Sequence, residues 1–221
     1  MTAITTLELI FPPEYKPQQH MSKSLRGAIC ALDPNNALLC QREEGKFLYR
    51  YPKVHYRWDR EQYRGYVVGF CEGAEYLLNL NVAGKVLLLA DDNVPVVGVN
   101  IKTAPLVFAE SDVLRRYRFL SPWLPFKPEA YDKFHQEDRD TQQATLDRLA
   151  RNHLVSAMRD LEQEPGFKVQ AAVGVEETSF VLYKDIGLFG VWGTLVCNVD
   201  LPDGIALGRK VSYGNGWIKV P

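Results

Sequence analysis

Two rhythms of apolar and polar positions run along the chain, and they change in a fixed order. Residues 4–11 mix β-branched and apolar side chains and are halted by Pro12-Pro13, which predicts a strand. Leu25, Ala28, Ile29 and Leu32 then share one face of a helix over about 23–32. Ser22 is placed to cap that helix, and Asp33-Pro34-Asn35-Asn36 to end it. Aromatic and β-branched residues over 47–58 and 66–70 predict strands, 72–80 a short helix, and 85–90 and 94–102 further strands. The succession strand, helix, strand, strand, helix, strand is the βαββαβ pattern of a ferredoxin-like (RRM-like) unit.

A second unit begins near Val107. Residues 116–120 predict a strand ended by Pro122 and Pro125. Leu146, Leu149, Leu154, Ala157, Met158 and Leu161 lie near helical spacing in the longest helical stretch, 141–164, which Pro165-Gly166 stops. Residues 167–175, 180–183, 188–199 and 217–220 predict strands, and a glycine-rich segment, 204–216, stands where a second helix would sit. There is no repeat at solenoid periods. The expected fold is α+β: two tandem ferredoxin-like domains, 1–106 and 107–221, the second carrying a C-terminal glycine-rich loop.

The 221 residues are 46% hydrophobic and 24% charged, with a formal net charge of -1. Near-neutrality argues against non-specific coating of nucleic acid but leaves room for a local basic groove. Residues 16–64 hold ten Lys and Arg against five Asp and Glu. Cys30, Cys40, Cys71 and Cys197 form no Cys-x-x-Cys pair, so neither a zinc site nor another cofactor is expected. The N-terminus lacks the features of a signal peptide, and no apolar run approaches a membrane span. A cytoplasmic protein without a membrane partner is expected.

Gly204, Gly208, Gly214 and Gly216 fall within thirteen positions that also hold Arg209, Lys210, Ser212 and Tyr213. Glycine lets backbone N–H groups approach a ligand closely, and flanking cations add attraction for an anion. Neither a Walker motif nor a Gly-x-Gly-x-x-Gly after a strand is present. A phosphate backbone is therefore the ligand class this segment suits; the plainer alternative is a glycine turn before a C-terminal strand.

Five stretches occur in series: Leu25-Arg26-Gly27-Ala28-Ile29, residues 49–57 (Tyr-Arg-Tyr-Pro-Lys-Val-His-Tyr-Arg), residues 117–124 (Tyr-Arg-Phe-Leu-Ser-Pro-Trp-Leu), residues 151–156 (Arg-Asn-His-Leu-Val-Ser) and residues 207–218. In this order they resemble the motifs of the CRISPR repeat-processing endoribonucleases of the RAMP superfamily. The resemblance spans nearly the whole chain and implies the same tandem ferredoxin-like fold. It also implies cleavage of precursor CRISPR RNA by metal-independent attack of a ribose 2′-OH on the adjacent phosphate. The expected partners are repeat RNA and mature crRNA, with effector-complex subunits and a second copy of the chain as further candidates. On this resemblance the RNA-binding residues are Lys23, Arg26, Arg151, Arg209, Lys210, Ser212 and Tyr213, with the four loop glycines.

The chain departs from the family at its chemistry. The members it most resembles carry His-Asn-His before the Tyr-Pro strand; aligned on Gly45, those positions hold Leu39, Cys40 and Gln41. Neither Leu nor Gln takes up a proton near neutrality. Of the remaining histidines, His20, just before the first helix, and His55, on a predicted strand beside Tyr56 and Arg57, are the candidate catalytic groups. His55 serves only if it faces a cleft; otherwise it is a sheet histidine. Tyr15, Lys16 and Tyr49 are candidates for charge and orientation, while His135 is expected to face solvent and His153 to be structural. Three readings stay open: a repeat-processing endoribonuclease with a relocated histidine, a relative that binds repeat or guide RNA without cutting it, and a protein-interaction domain on the same scaffold.

Overall fold

The computed structural model describes residues 2–17, 21–43, 46–48 and 50–220. The chain divides into two compact units: Met1–Leu106 with Ser212–Gly214, and Val107–Val211 with Asn215–Pro221. Three residues that the domain expectation assigns to the second half thus pack with the first.

In the first unit the elements are β1 (Ala3–Ile10), α1 (Ser22–Leu32), α2 (Ala37–Cys40), β2 (Arg42–Glu43), β3 (Lys46–Phe47), β4 (Val54–Asp59), β5 (Arg64–Phe70), α3 (Glu72–Asn79), β6 (Val86–Leu89), β7 (Asp92–Pro95) and β8 (Gly98–Pro105). The main sheet has the order β4-β5-β1-β8, antiparallel throughout. Numbered within the βαββαβ pattern that order is 2-3-1-4, the ferredoxin-like arrangement. Leu7, Leu9 and Val67 project from the sheet into a core with Leu25, Ile29, Trp58 and Leu77.

Three sequence expectations are corrected here. Ser22 is the first residue of α1 and makes no capping hydrogen bond; Met21 stands at the cap and Ser22 is buried. The strand expected over 47–58 is broken, since among the described residues β3 pairs only with β2 and the chain enters the main sheet after Pro52. The strand expected over 94–102 divides between Val96, whose N–H donates to Lys85, and Val97, whose N–H donates to Ile10. β7 therefore closes a separate hairpin with β6, while β8 joins β1.

The second unit holds β9 (Ala109–Phe119), α4 (Pro128–Gln136), α5 (Arg139–Asp160), β10 (Ala171–Tyr183), β11 (Ile186–Asp200) and β12 (Ile218–Lys219). Its sheet order, β10-β11-β9-β12, repeats the topology of the first. Between β11 and β12 the chain forms the glycine-rich loop, with a 3-10 turn at Val211–Tyr213 in place of a second helix. The chain is thus a tandem ferredoxin-like α+β protein. Helix α4 was not expected: it is nine residues long, mostly polar, and buries only Phe134 along its length. Asp138 caps α5, accepting from the N–H groups of Asp140 (3.1 Å) and Thr141 (3.0 Å). Residues 176–179 are polar, yet β10 runs on through them because Glu177, Thr178 and Ser179 stay paired to β11 past a bulge at Val175/Glu177.

Two glycines give opposite expectations. Gly27 lies exposed within α1 with open space around it, so Gly27→Ala should stabilise the protein by about 0.5–1 kcal/mol. A Cβ on Gly73 in α3 would collide with the Lys53 carbonyl, which is held by Phe70 N–H at 2.8 Å. Gly73→Ala should therefore destabilise by about 1–3 kcal/mol in urea denaturation.

Candidate nucleic-acid interface

The glycine-rich loop is held by short-range sterics before any side chain acts. Gly204, Gly208, Gly214 and Gly216 have φ of 89°, 90°, 87° and 66°, where a side chain is strained. In the second unit the loop lies on residues 121–124. Gly216 N–H donates to the Pro122 carbonyl (2.9 Å), Trp217 N–H to Ser121 Oγ (2.9 Å) and Arg209 N–H to the Leu124 carbonyl (3.0 Å). Gly208 sits on the Trp123 indole, where a Cβ would stand 2.7 Å from Cδ1. Trp123 is fully buried and stacked on Phe119 at 5.8 Å, and its indole N–H donates to His153 Nδ1 at 3.2 Å. Three of the five sequence motifs are therefore one packed cluster.

This arrangement fixes the loop cations of that unit. Arg209 lies close enough to His153 to disfavour a second positive charge. Burial first, and then Arg209, bring His153 down to about 4. His153 is thus a neutral acceptor for Trp123. Lys210 is itself left-handed (φ 57°) and carries Nζ over the Tyr183 ring at 4.0 Å from its centroid. Arg151 projects exposed from α5.

Ser212–Gly214 belong to the first unit. Ser212 Oγ donates to Gln41 Oε1 at 3.4 Å, and Gln41 Nε2 donates to the carbonyls of Leu48 (3.1 Å) and Arg50 (2.9 Å). The Arg26 guanidinium covers the Tyr213 ring at 4.5 Å and donates to the Cys40 carbonyl at 2.6 Å. Gly214 fits closely: a Cβ there would stand 2.5 Å from Ser22 Oγ and 3.0 Å from the Tyr56 carbonyl. Tyr56 in turn donates its hydroxyl to the Leu39 carbonyl at 3.0 Å. Leu39, Cys40 and Gln41, which the sequence aligns with the family's triplet, thus form the scaffold beneath Ser212–Gly214.

Of the expected RNA-binding residues, Lys23 is exposed on α1, one turn before Arg26. Arg26, Ser212 and Tyr213 are engaged with one another's surroundings and hold the loop. The candidate bases differ sharply. His20 lies outside the described residues, as does Tyr49. His55 is fully buried between Tyr51 and Phe70, each ring 5.0 Å away. Burial, and then the Arg57 guanidinium, lower its pKa well below the usual histidine range. That placement takes the sheet alternative and corrects the catalytic one: no RNA reaches a ring with no exposed surface. His135 is exposed on α4, stacked on Tyr131. Gln41 was missed as a positioning residue; its one sequence signal was its place in the aligned triplet, where it registered only as a lost histidine.

Comparison with known proteins supplies the family context. A family model described as the Cas6b N-terminal domain matches residues 2–105, and one described as the Cas6b C-terminal domain matches 109–220. An uncharacterized protein of Methanocaldococcus jannaschii is 28% identical over 111 residues, which are 50% of this chain and 76% of that protein. A crystal structure of Cas6b matches with a TM-score of 0.87 at 19% identity, covering 100% of both chains. A crystal structure of the CRISPR RNA processing endoribonuclease Cas6b gives 0.75 at 17%, again over 100% of both. Csf5, a type IV Cas6 crRNA endonuclease, gives 0.63 at 12%, covering 99% of each chain. At these identities the structural likeness is one of fold.

Two outcomes follow from the site. Gln41→Ala removes three side-chain hydrogen bonds and should cost about 2–3 kcal/mol in urea denaturation. His55 and His153 are both held neutral, so the unfolded chain binds more protons than the native one below the usual histidine pKa of about 6.5. Stability should be full above that value and fall as pH drops from about 6.5 toward 4. His153→Gln should reduce the slope in that window, as read from urea midpoints.

Proposed function

The chain belongs to the Cas6b family, and we propose that it binds CRISPR repeat RNA and cuts the precursor within the repeat without a metal ion. The observation that carries this reading is the glycine loop of the second unit, where Gly208 lies on Trp123 and the Arg209 N–H is held by the Leu124 carbonyl, with Lys210 next in sequence. Cations on a constrained loop hold a phosphate without reorganising, which is what a negatively charged transition state requires. Lys23 and Arg151 add exposed positive charge for the RNA backbone, while Arg26, Ser212 and Tyr213 position the loop.

In the proposed reaction a ribose 2′-OH gives its proton to a base and its oxygen attacks the adjacent phosphorus. The bond to the 5′ oxygen breaks, that oxygen takes up a proton, and the products are a 2′,3′-cyclic phosphate and a 5′-OH. Of the two histidines proposed from the sequence as the base, His55 is buried, and His20, two residues before α1, takes the role by sequence position. A second reading is favoured by the aligned triplet: neither Leu39 nor Gln41 has a group that titrates near neutrality, and both serve the scaffold. On that reading the chain holds repeat RNA uncut.

Incubation of the cognate repeat RNA with the protein in EDTA, read on a denaturing gel, separates the two. A discrete product ending in a cyclic phosphate supports cleavage, and His20→Ala should then slow it by roughly 10²–10⁴-fold. An uncut but bound repeat supports the second reading. Arg209→Ala with Lys210→Ala should weaken binding and lower the slope of log K against log salt by roughly 1–2. Equal affinity for repeat and scrambled RNA would overturn both readings.

A further inference from the structure

A cavity of 450 Å³ opens in the second unit against α5. Its helical wall consists of two neighbouring rows at four-residue spacing: Arg151, Val155 and Arg159, and beside them Asn152, Ser156 and Asp160. The facing wall exists because α5 ends sharply. Glu162 is left-handed (φ 63°), Gln163 N–H donates to the Met158 carbonyl at 2.8 Å, and the chain returns so that Phe167 and Val169 line the same space. Arg159 and Glu164 close one side with paired contacts, Nε to Oε1 at 2.9 Å and to Oε2 at 3.1 Å.

The chemistry of this lining is selective. Two arginines are balanced by Asp160 and Glu164, so a bare anion gains nothing from net charge there. The apolar faces of Val155, Phe167 and Val169 suit a flat ring, and Asn152, Ser156 and Arg151 offer donors and acceptors to its edge. That combination fits a nucleobase: every base has a face to stack and a polar edge to read. The volume falls within the ordinary range of about 300–1,000 Å³ for small-ligand sites. Arg148, exposed one turn before Arg151, and Lys168, exposed beside Phe167, supply positive charge for the flanking phosphates.

We propose that this cavity receives an unpaired, extruded nucleotide of the repeat RNA, with its base on Phe167 and its edge against Asn152 and Arg151. The inference rests on the reading that the chain binds repeat RNA, and it adds a second contact region, on α5, to the glycine loop. An aromatic protein side chain would fill the same walls but leave the polar edge groups unused.

The test is a coupling experiment on the intact protein. Cognate repeat RNAs are made with each unpaired nucleotide in turn replaced by an abasic residue, and their affinities are measured for the unmodified protein and for Phe167→Ala. One abasic position should weaken binding roughly tenfold to the unmodified protein and have no further effect on Phe167→Ala, because both changes remove the same stacking contact. Should Phe167→Ala unfold, Asn152→Ala, on an exposed helix position, is used in the same cycle with the same expectation. Additive losses at every position, or no loss at any, would overturn the pocket while leaving repeat binding in place. If the unmodified protein fails to distinguish repeat from scrambled RNA, the functional reading itself falls, and the pocket's ligand with it.

Discussion

Close backbone approach at two glycines governs the loop. At Gly208 the chain lies on Trp123, and at Gly214 it lies on Ser22 and the Tyr56 carbonyl, with no room for a Cβ at either place. Both residues are left-handed, so sterics and φ demand glycine together. Between them run Arg209, Lys210, Val211, Ser212 and Tyr213. The backbone that carries Arg209 is therefore placed by contacts that involve no charge, and salt that would weaken an ion pair leaves it in place.

Much of the fold was legible because the sequence pattern and the sheet agree. β1, α1 and α3 carry a period, β5 reads as an apolar run, and their order alone points to the topology observed. The failures have particular causes. α4 is short and mostly polar, and it packs through Tyr131 and Phe134, so few apolar positions mark it in the sequence. β10 crosses a polar stretch on the strength of its ladder with β11, and hydrogen bonds between strands leave no trace in hydropathy. β4 is buried on both faces from Val54 to Trp58, which erases the alternation that would have placed His55. A strand with no polar side cannot announce which way its histidine points.

At the site, the motifs marked positions and left their roles open. Arg26 looked like a phosphate ligand, yet its guanidinium lies over Tyr213 and against the Cys40 carbonyl. Gln41 and Ser212 stand 171 residues apart, and nothing in either local sequence signals their pairing. The clustering of the 117–124 motif, the 151–156 motif and the glycine loop around Trp123 was likewise invisible until folded. Long-range contacts of this kind depend on topology, so a linear reading recovers the residues that matter and misses what they do for each other.

The same geometry bears on why the triplet positions lack histidine. Leu39 has 1% of its surface exposed and belongs to the core cluster of the first unit. A histidine in that environment would be desolvated and held neutral, as His55 is, and could not exchange protons with RNA. Gln41 uses its amide as a double donor and an acceptor at once, a pattern that a neutral imidazole, with one donor and one acceptor, cannot reproduce. Only Cys40 contributes through its backbone carbonyl to Arg26 while its side chain is part-exposed. Restoring the family's proton carriers would therefore disturb the support of the loop at two of three positions. In this chain Leu39 is committed to the core and Gln41 to the support of Ser212.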